Sequence, residues 1–205
     1  MNLDFLEIGT STYETLIQEA SETTVGISVE PVKCNLDLLP NKPNVIKVNA
    51  AITANRTTDV IDIFYIPPED VPDSIFYIRG CNTIGAPHPE QHTGNNLNYV
   101  RKEPVRLMNI DELLQEHNVR SIKFLKIDTE GHDCVILNGL FEYLKTRPKT
   151  EYPKRIQFET NTLTPVKIVD NTIRDAEILG YKVLSRGHET DLEFRDTPRP
   201  YLPSL

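Results

Sequence analysis

The stretch FLKIDTEGHD, residues 124–133, decides the fold, because a buried strand gives way here to a polar turn. Its first four residues, 124–127, are mostly apolar, as in a strand inside a sheet. Four ionisable side chains then surround a single glycine: Asp128, Glu130, His132 and Asp133. This concentration of charge at the end of a buried strand indicates a functional site.

Strand-like and helix-like segments alternate on both sides of this stretch. We predict strands at residues 3–8, 25–29, 45–48, 60–66, 105–107, 122–127 and 155–158, and a closing pair at 181–184 and 192–194. Strands that alternate with helices predict an α/β fold. Its sheet would be twisted and mostly parallel, with helices on both faces and a C-terminal antiparallel strand.

Capping residues mark the predicted helix ends. Ser11 and Glu14 form a capping box for the first helix, and Asn109 and Glu112 form another after the strand at 105–107. In the last helix Thr164 is the expected N-cap, Pro165 the first helical residue and Gly180 the stop. In a further helix Gly139 is expected where close packing leaves no room for a side chain.

Length and composition restrict the class of protein. With 205 residues, 39% of them hydrophobic and 25% charged, residues 1–205 are expected to form one domain. Residues 67–100, with five prolines and three glycines, leave the α/β pattern and suggest a loop or lid over the acceptor. Residues 197–205 would form an extended tail.

Charge and cysteine content exclude several partners. The net charge of −8 disfavours binding to nucleic acid, and no apolar run is long enough to span a membrane. Three widely spaced cysteines suggest reduced thiols and a cytoplasmic protein. The first strand begins close to Met1, so we also expect a domain cut from a longer protein, with a glycosyltransferase as a fused or associated companion.

Polar residues at the predicted strand ends point to a nucleoside ligand. In parallel α/β sheets, ligands bind outside the carboxyl ends of the strands, and an acid after the second strand holds ribose hydroxyls. Glu30 stands in that position, 21 residues after Gly9. The turn after Gly9 reads GTSTY and lacks the GxGxxG pattern of dinucleotide sites. S-adenosylmethionine therefore suits the turn better than NAD.

Three segments resemble the FkbM family of S-adenosylmethionine-dependent methyltransferases. They are GISVEP at 26–31, VNAAIT at 48–53 and FLKIDTEGHDCVILNGL at 124–140, which carries the family's K-I-D-x-E-G signature. The resemblance implies a Rossmann-like class I fold. It also implies methyl transfer to a hydroxyl of a sugar in a glycan or glycoside, with a small-molecule or lipid-linked acceptor as the alternative.

The resemblance also assigns roles to residues. Glu7, Gly9, Thr10 and Ser11 would line the methionine portion of the cofactor and Glu30 the ribose. Asn49, Ala50 and Ala51 would approach the adenine, and Asp128 would lie where cofactor and acceptor meet. A catalytically degenerate nucleotide-binding interaction module is the alternative, because the glycine motif is eroded.

Proton removal from a sugar hydroxyl needs a base or a metal ion. His132 is the first choice as base, since a neutral imidazole is poised near neutral pH, and Asp128 or Glu159 is the alternative. Asp128, Glu159 and Asn161 also form a candidate set of oxygen ligands for Mg²⁺ or Mn²⁺. Lys126, inside the same strand, is expected to pair with Glu159 or Glu130.

Residues of the 67–100 loop are candidates for the acceptor pocket. They are Arg79, Asn82, His88 and His92, to which the strand ends add Glu130 and Asn161. Tyr77 and Tyr99 flank the loop and are predicted to stack on sugar rings.

Overall fold

The structure, a computed structural model, describes residues 1–12, 15–71 and 78–196. Its strands are β1 Asn2–Ile8, β2 Gly26–Val29, β3 Val45–Val48, β4 Ala51–Thr53, β5 Val60–Tyr65, β6 Thr83–Ile84, β7 Arg101–Asn109, β8 Ser121–Ile127, β9 Arg155–Glu159, β10 Tyr181–Arg186 and β11 Glu189–Phe194. Its α-helices are α1 Leu16–Glu19, α2 Lys33–Leu38, α3 Ile110–Glu116, α4 Asp133–Leu144 and α5 Val166–Leu179. The fold is therefore a mixed α/β fold.

The main sheet has seven strands in the order β10-β11-β9-β8-β1-β2-β3. Strands β9, β8, β1, β2 and β3 pair in parallel, whereas β11 is antiparallel to both of its neighbours. The predicted mostly parallel sheet with a C-terminal antiparallel strand is confirmed. The carboxyl ends of β1, β2, β8 and β9 consequently lie along one edge.

Helices cover both faces of this sheet, because successive side chains of a strand point to opposite faces. Phe5 of β1 packs in a cluster with Ile17 of α1 and Leu36 of α2. Leu6 and Ile8 of the same strand belong to the main core, together with buried residues of α3, α4 and α5. The expected two-sided arrangement is therefore observed.

A second sheet of four strands, in the order β4-β7-β5-β6, was not predicted. The strand predicted at 60–66 ends at Tyr65 and belongs to this sheet, where it is antiparallel to β7. The strand predicted at 105–107 was too short, since β7 covers nine residues. The full length of β7 was missed because the strand begins with charged residues. Arg101 and Lys102 are exposed, and their backbones pair with Tyr65 and Phe64 of β5.

Two predicted helix starts were wrong. The first helix begins at Leu16 with Thr15 as N-cap, so Ser11 does not cap it; Glu14 lies outside the described residues. Pro165, not Thr164, is the N-cap of α5, and the Thr164 hydroxyl donates a hydrogen bond to the Gly131 carbonyl.

The other predicted helix signals are confirmed. Asn109 and Glu112 form the capping box of α3. Gly180 ends α5 with a left-handed φ of 105°. Gly139 packs closely, because a Cβ there would lie 2.6 Å from that of Ala54.

Gly9 allows the closest approach in the main sheet, between the ends of β1 and β8. Its φ is +83°, a conformation that favours glycine, and a Cβ there would lie 1.8 Å from the Asp128 carbonyl oxygen. Backbone hydrogen bonds fix this arrangement: Asp128 N–H donates to Ile8, and Gly9 N–H donates to Val29. Two turns that end in polar residues are thereby held in contact.

No helix within the described ranges has both the length and the apolar character that a membrane crossing requires.

The close contact at Gly9 predicts that replacing Gly9 by alanine lowers the free energy of unfolding by about 3 kcal/mol or more. The added Cβ would clash with the Asp128 carbonyl oxygen, and the backbone conformation would be strained. Gly85→Ala is the matched control, because Gly85 has a similar φ of +82° but no atom within 4 Å of the added Cβ. The control should lower the free energy of unfolding by only about 1 kcal/mol, because it adds backbone strain without a clash. Urea denaturation measures both; equal losses would contradict the close contact.

Candidate active site

Two clefts meet at the carboxyl ends of β1 and β8. The smaller is a cavity of about 50 Å³, and the larger is a cleft of about 660 Å³. The residues that line both are Gly9, Ser11, Gly80, Asp128 and Glu130. Asp128 thus lies at the junction of the two clefts; the role between cofactor and acceptor that the resemblance implies for it stays a prediction.

The smaller cleft is lined by small and apolar residues around the Glu30 carboxylate. Ala50 and Ala51 lie on it, and the side chain of Glu30 is almost fully buried. One Glu30 oxygen accepts the Ser11 N–H at 2.7 Å, and the other accepts the Val32 N–H at 2.8 Å. Burial nevertheless raises the pKa of Glu30 to about 7. Glu30 therefore connects the turns after β1 and β2.

Glu7 and Lys126 form an ion pair beneath the larger cleft. Their charged atoms are 3.4 Å apart, and they are direct partners in the β1–β8 register. Lys126 thus pairs with a carboxylate, as expected, but with that of Glu7, which was not among the partners predicted. A second Glu7 oxygen accepts the Leu16 N–H. Full burial raises the pKa of Glu7 to about 7.

Asp133 holds the turn between β8 and α4 in place. One of its carboxylate oxygens accepts the Thr129 hydroxyl, and the other accepts the Glu159 N–H at 3.2 Å. The side chain is completely buried, which raises the pKa of Asp133 to about 7. These bonds join the end of β8 to the end of β9.

Three carboxylates gather in the larger cleft: Asp128, Glu130 and Glu159. One oxygen from each lies within 4.8 Å of the other two. Burial and mutual repulsion raise the pKa of Glu130 to about 8 and that of Glu159 to about 7, and burial also raises the pKa of Asp128. We call these three residues the acidic trio. It includes two of the predicted metal ligands, Asp128 and Glu159.

The third predicted metal ligand, Asn161, has its amide oxygen engaged elsewhere. That oxygen accepts the Leu163 N–H at 2.9 Å. A side-chain hydrogen bond from Asn161 also lowers the pKa of Glu159, against the larger effect of burial. The amide N–H₂ therefore faces the trio.

His88 brings the 67–100 loop to the acidic trio. Its Nε2 lies 3.4 Å from a Glu130 oxygen, and its Nδ1 accepts the Glu90 N–H. The side chain is buried, which lowers the pKa of His88. Gln91, which is also fully buried, connects two parts of the loop by donating a hydrogen bond to the Cys81 carbonyl.

His132 lines the smaller cleft and is absent from the lining of the larger one. Its Nε2 lies 2.9 Å from the Thr53 hydroxyl, and burial lowers the pKa of His132. Asp128 and Glu130 line the smaller cleft with it, whereas Glu159 lines only the larger one.

Several other predicted residues are not brought to the clefts. Arg79 and His92 line neither cleft, and His92 is exposed. Asn49 is also exposed, and its side-chain amide donates hydrogen bonds to the Glu30 and Pro31 carbonyls. Tyr99 is 39% exposed, and Tyr77 lies outside the described residues. Asn82 does line the smaller cleft.

Sequence reasoning missed Gly80, Lys126 and His188 as lining residues. His188 lies in the β10–β11 turn, 3.7 Å from Glu159. The register that pairs Glu189 with Glu159 places it there. The predicted closing hairpin was a signal for this position, but its pairing with the strand predicted at 155–158 was not predicted.

The family model for the methyltransferase FkbM domain matches residues 7–181. No curated protein and no solved structure matches the chain significantly. The match covers most of the chain and every residue that lines the two clefts except His188. The chain therefore belongs to the FkbM methyltransferase family, which confirms the resemblance carried by the segment at 124–140.

Without ligand, the protein should lose stability as the pH rises from about 5 to about 8.5. The folded-state pKa of Glu130 is about 8, above its usual 4.5. Its contribution to stability is thus complete below the unfolded pKa and is lost as the pH rises through the folded pKa. Glu130→Gln should reduce the loss in the free energy of unfolding across this pH range by roughly 1–3 kcal/mol.

Urea denaturation across this pH range measures the effect. Glu142→Gln is the control, because Glu142 lies in the nearby helix α4 but is largely exposed. An unchanged profile in Glu130→Gln would contradict the assigned burial of that carboxyl group.

Proposed function

We propose that this protein is an S-adenosylmethionine-dependent O-methyltransferase acting on a sugar hydroxyl of a glycan or glycoside. The observation that carries the proposal is the junction of two clefts at Asp128, within a chain of the FkbM methyltransferase family. The strand order, with β2 and β3 on one side of β1 and β8 and β9 on the other, fits a Rossmann-like class I fold.

The residues of the smaller cleft fit the proposed cofactor. S-adenosylmethionine supplies a methyl group on a positively charged sulfonium. Glu30, Asp128 and Glu130 provide carboxyl groups in a poorly hydrated setting, where the attraction between an ionised carboxylate and a cation is strongest. Ala50 and Ala51 would leave room for a flat base, and Glu30 would accept hydrogen bonds from the ribose hydroxyls.

The loop must move to admit this ligand. A cavity of about 50 Å³ holds only a few water molecules, so a nucleoside needs more space. Gly80, Asn82 and Ile84 of the loop line one wall of the cavity, and we propose that they shift outward on binding.

Methyl transfer requires the acceptor oxygen to face the methyl carbon, in line with its bond to sulfur. As the new C–O bond forms, the C–S bond breaks and the hydroxyl proton must leave. Asp128 and Glu159 face the larger cleft, and a carboxylate with a pKa near 7 is a competent base at neutral pH. His132 faces the smaller cleft, so we assign the proton to a carboxylate and give His132 a role beside the cofactor.

Hydrogen-bonding side chains make the larger cleft suitable for a sugar. Thr10, His88, Asn161 and Thr162 lie along it with the acidic trio. A small-molecule or lipid-linked alcohol is the alternative acceptor, and it would use the same base and the same junction.

Titration calorimetry should show micromolar binding of S-adenosylmethionine and S-adenosylhomocysteine and no binding of NAD. Glu30→Ala should weaken adenosyl binding at least ten-fold by removing the proposed ribose contact. Glu19→Ala, at an exposed position of α1, is the control. A variant melting curve checks that the turns held by Glu30 are intact. Absence of adenosyl binding to the unaltered protein would favour the degenerate interaction module.

Glu159→Gln and Asp128→Asn should each lower kcat about 10²–10⁴-fold if a carboxylate removes the proton. His132→Gln should instead change mainly the affinity for S-adenosylhomocysteine. Initial rates with an acceptor glycoside, followed by mass spectrometry, measure kcat for all three. A loss in kcat confined to His132→Gln would return the base role to the histidine.

A further inference from the structure

We propose that the acceptor carries a protonated amino group next to the hydroxyl that is methylated, so that the substrate class is amine-bearing glycosides rather than uronic acids or sugar phosphates. The inference rests on the proposed methyl transfer. It concerns what the larger cleft binds in addition to a hydroxyl, and it follows from four observations about that cleft.

The first observation is an excess of acidic over basic residues. The acidic trio and Glu90 line the cleft. Among the described residues along it, Lys126 is the sole lysine or arginine, and it is paired with the buried Glu7. An acceptor that carried a phosphate or a carboxylate would therefore face like charges with little compensation.

The second observation concerns the two histidines of the cleft. His88 accepts a backbone N–H through Nδ1, so its single proton is on Nε2, towards Glu130. Its burial disfavours a second proton. His188 is 75% exposed and is screened by solvent. Of the two histidines only His188 lowers the pKa of Asp128, and its effect is smaller than those of burial, Lys126 and Glu189.

The third observation is that buried polar atoms in the cleft lack partners. The second carboxylate oxygen of Glu159 is buried without a hydrogen bond, and so is the hydroxyl of Thr10, a residue only 3% exposed. A buried acceptor without a donor costs free energy. An ammonium group carries three N–H donors and a positive charge, which a carboxylate and a hydroxyl can bind together.

The fourth observation favours an amine over a divalent cation. Mg²⁺ and Mn²⁺ prefer about six oxygen ligands. The neutral oxygen of the predicted ligand set, that of Asn161, accepts the Leu163 N–H. The Asn161 hydrogen bond to Glu159 is that of a donor. In this hydrogen bond the trio acts as the acceptor, and a ligand with N–H donors would bind it in the same way.

The experiment compares matched methyl glycosides bound to the full chain. One series carries a free amino group at each ring position in turn, and a second carries the corresponding N-acetyl groups, which are neutral. Methyl glucuronide is the anionic member. Affinities are measured by calorimetry with S-adenosylhomocysteine present, and methylated products are identified by mass spectrometry.

At least one free amine should bind ten-fold or more tightly than its N-acetyl counterpart, and the glucuronide should bind most weakly. Raising the salt concentration should reduce this preference. Glu159→Gln should remove most of the preference for the free amine over its N-acetyl counterpart. Glu142→Gln, on the exposed side of α4, should leave both series unchanged.

Equal affinities for the amine and N-acetyl series, or preferred binding of the glucuronide, would overturn the inference. So would a shift of preference to the glucuronide when Mg²⁺ or Mn²⁺ is added, because the trio would then hold a metal ion. Binding of S-adenosylhomocysteine is measured separately. Its absence would contradict the proposed function, whereas its presence without an amine preference would contradict the substrate class alone.

Discussion

The contact between Gly9 and the Asp128 carbonyl is the constraint on which the site depends. A side chain at residue 9 would separate the ends of β1 and β8, since its Cβ would lie 1.8 Å from that oxygen. With glycine there, the turns after the two central strands share one junction, and both clefts open onto it. The lone glycine that seemed a weak phosphate-binding motif therefore has a structural role between strands.

A second constraint is the burial of many carboxyl groups with few cations. Glu7 is paired with Lys126, and Asp133 is satisfied by hydrogen bonds around the β8–α4 turn. Glu30 is satisfied by two backbone N–H groups. The acidic trio is compensated only in part, by the Asn161 hydrogen bond to Glu159 and by the charge of Lys126 near Asp128, and burial raises all three of its pKa values. The buried acids thus differ in their partners: Glu7, Glu30 and Asp133 each hold a turn by hydrogen bonds, whereas the trio faces the larger cleft.

Local signals in the sequence predicted much of this fold, and longer-range partners limited the rest. The Asn109–Glu112 capping box and the Gly180 stop were readable because each involves neighbours along the chain. The Glu7–Lys126 pair was not, since it depends on the register between β1 and β8. The four-stranded sheet was missed for the same reason: the polar start of β7 becomes a strand only through pairing with β5.

The candidate site followed the same division. Asp128 at the end of a buried strand was predicted from position alone, and it lies at the junction. Residues of the 67–100 loop could be chosen only by residue type, and the choice was right only in part. His88 reaches the larger cleft, whereas Arg79 and His92 do not. Prolines and short 3₁₀ helices give that loop no period from which the orientation of a side chain could be predicted.

The position of β11 has a consequence for synthesis on the ribosome. This strand lies between β9 and β10, although β10 precedes it in the chain. A nascent chain that has completed β10 but not β11 cannot attach β10 to the sheet, and the backbone of β9 is left with an open edge. The sheet beside Glu159 can therefore close only after residue 194 has emerged, so the larger cleft cannot be complete before β11 has been translated.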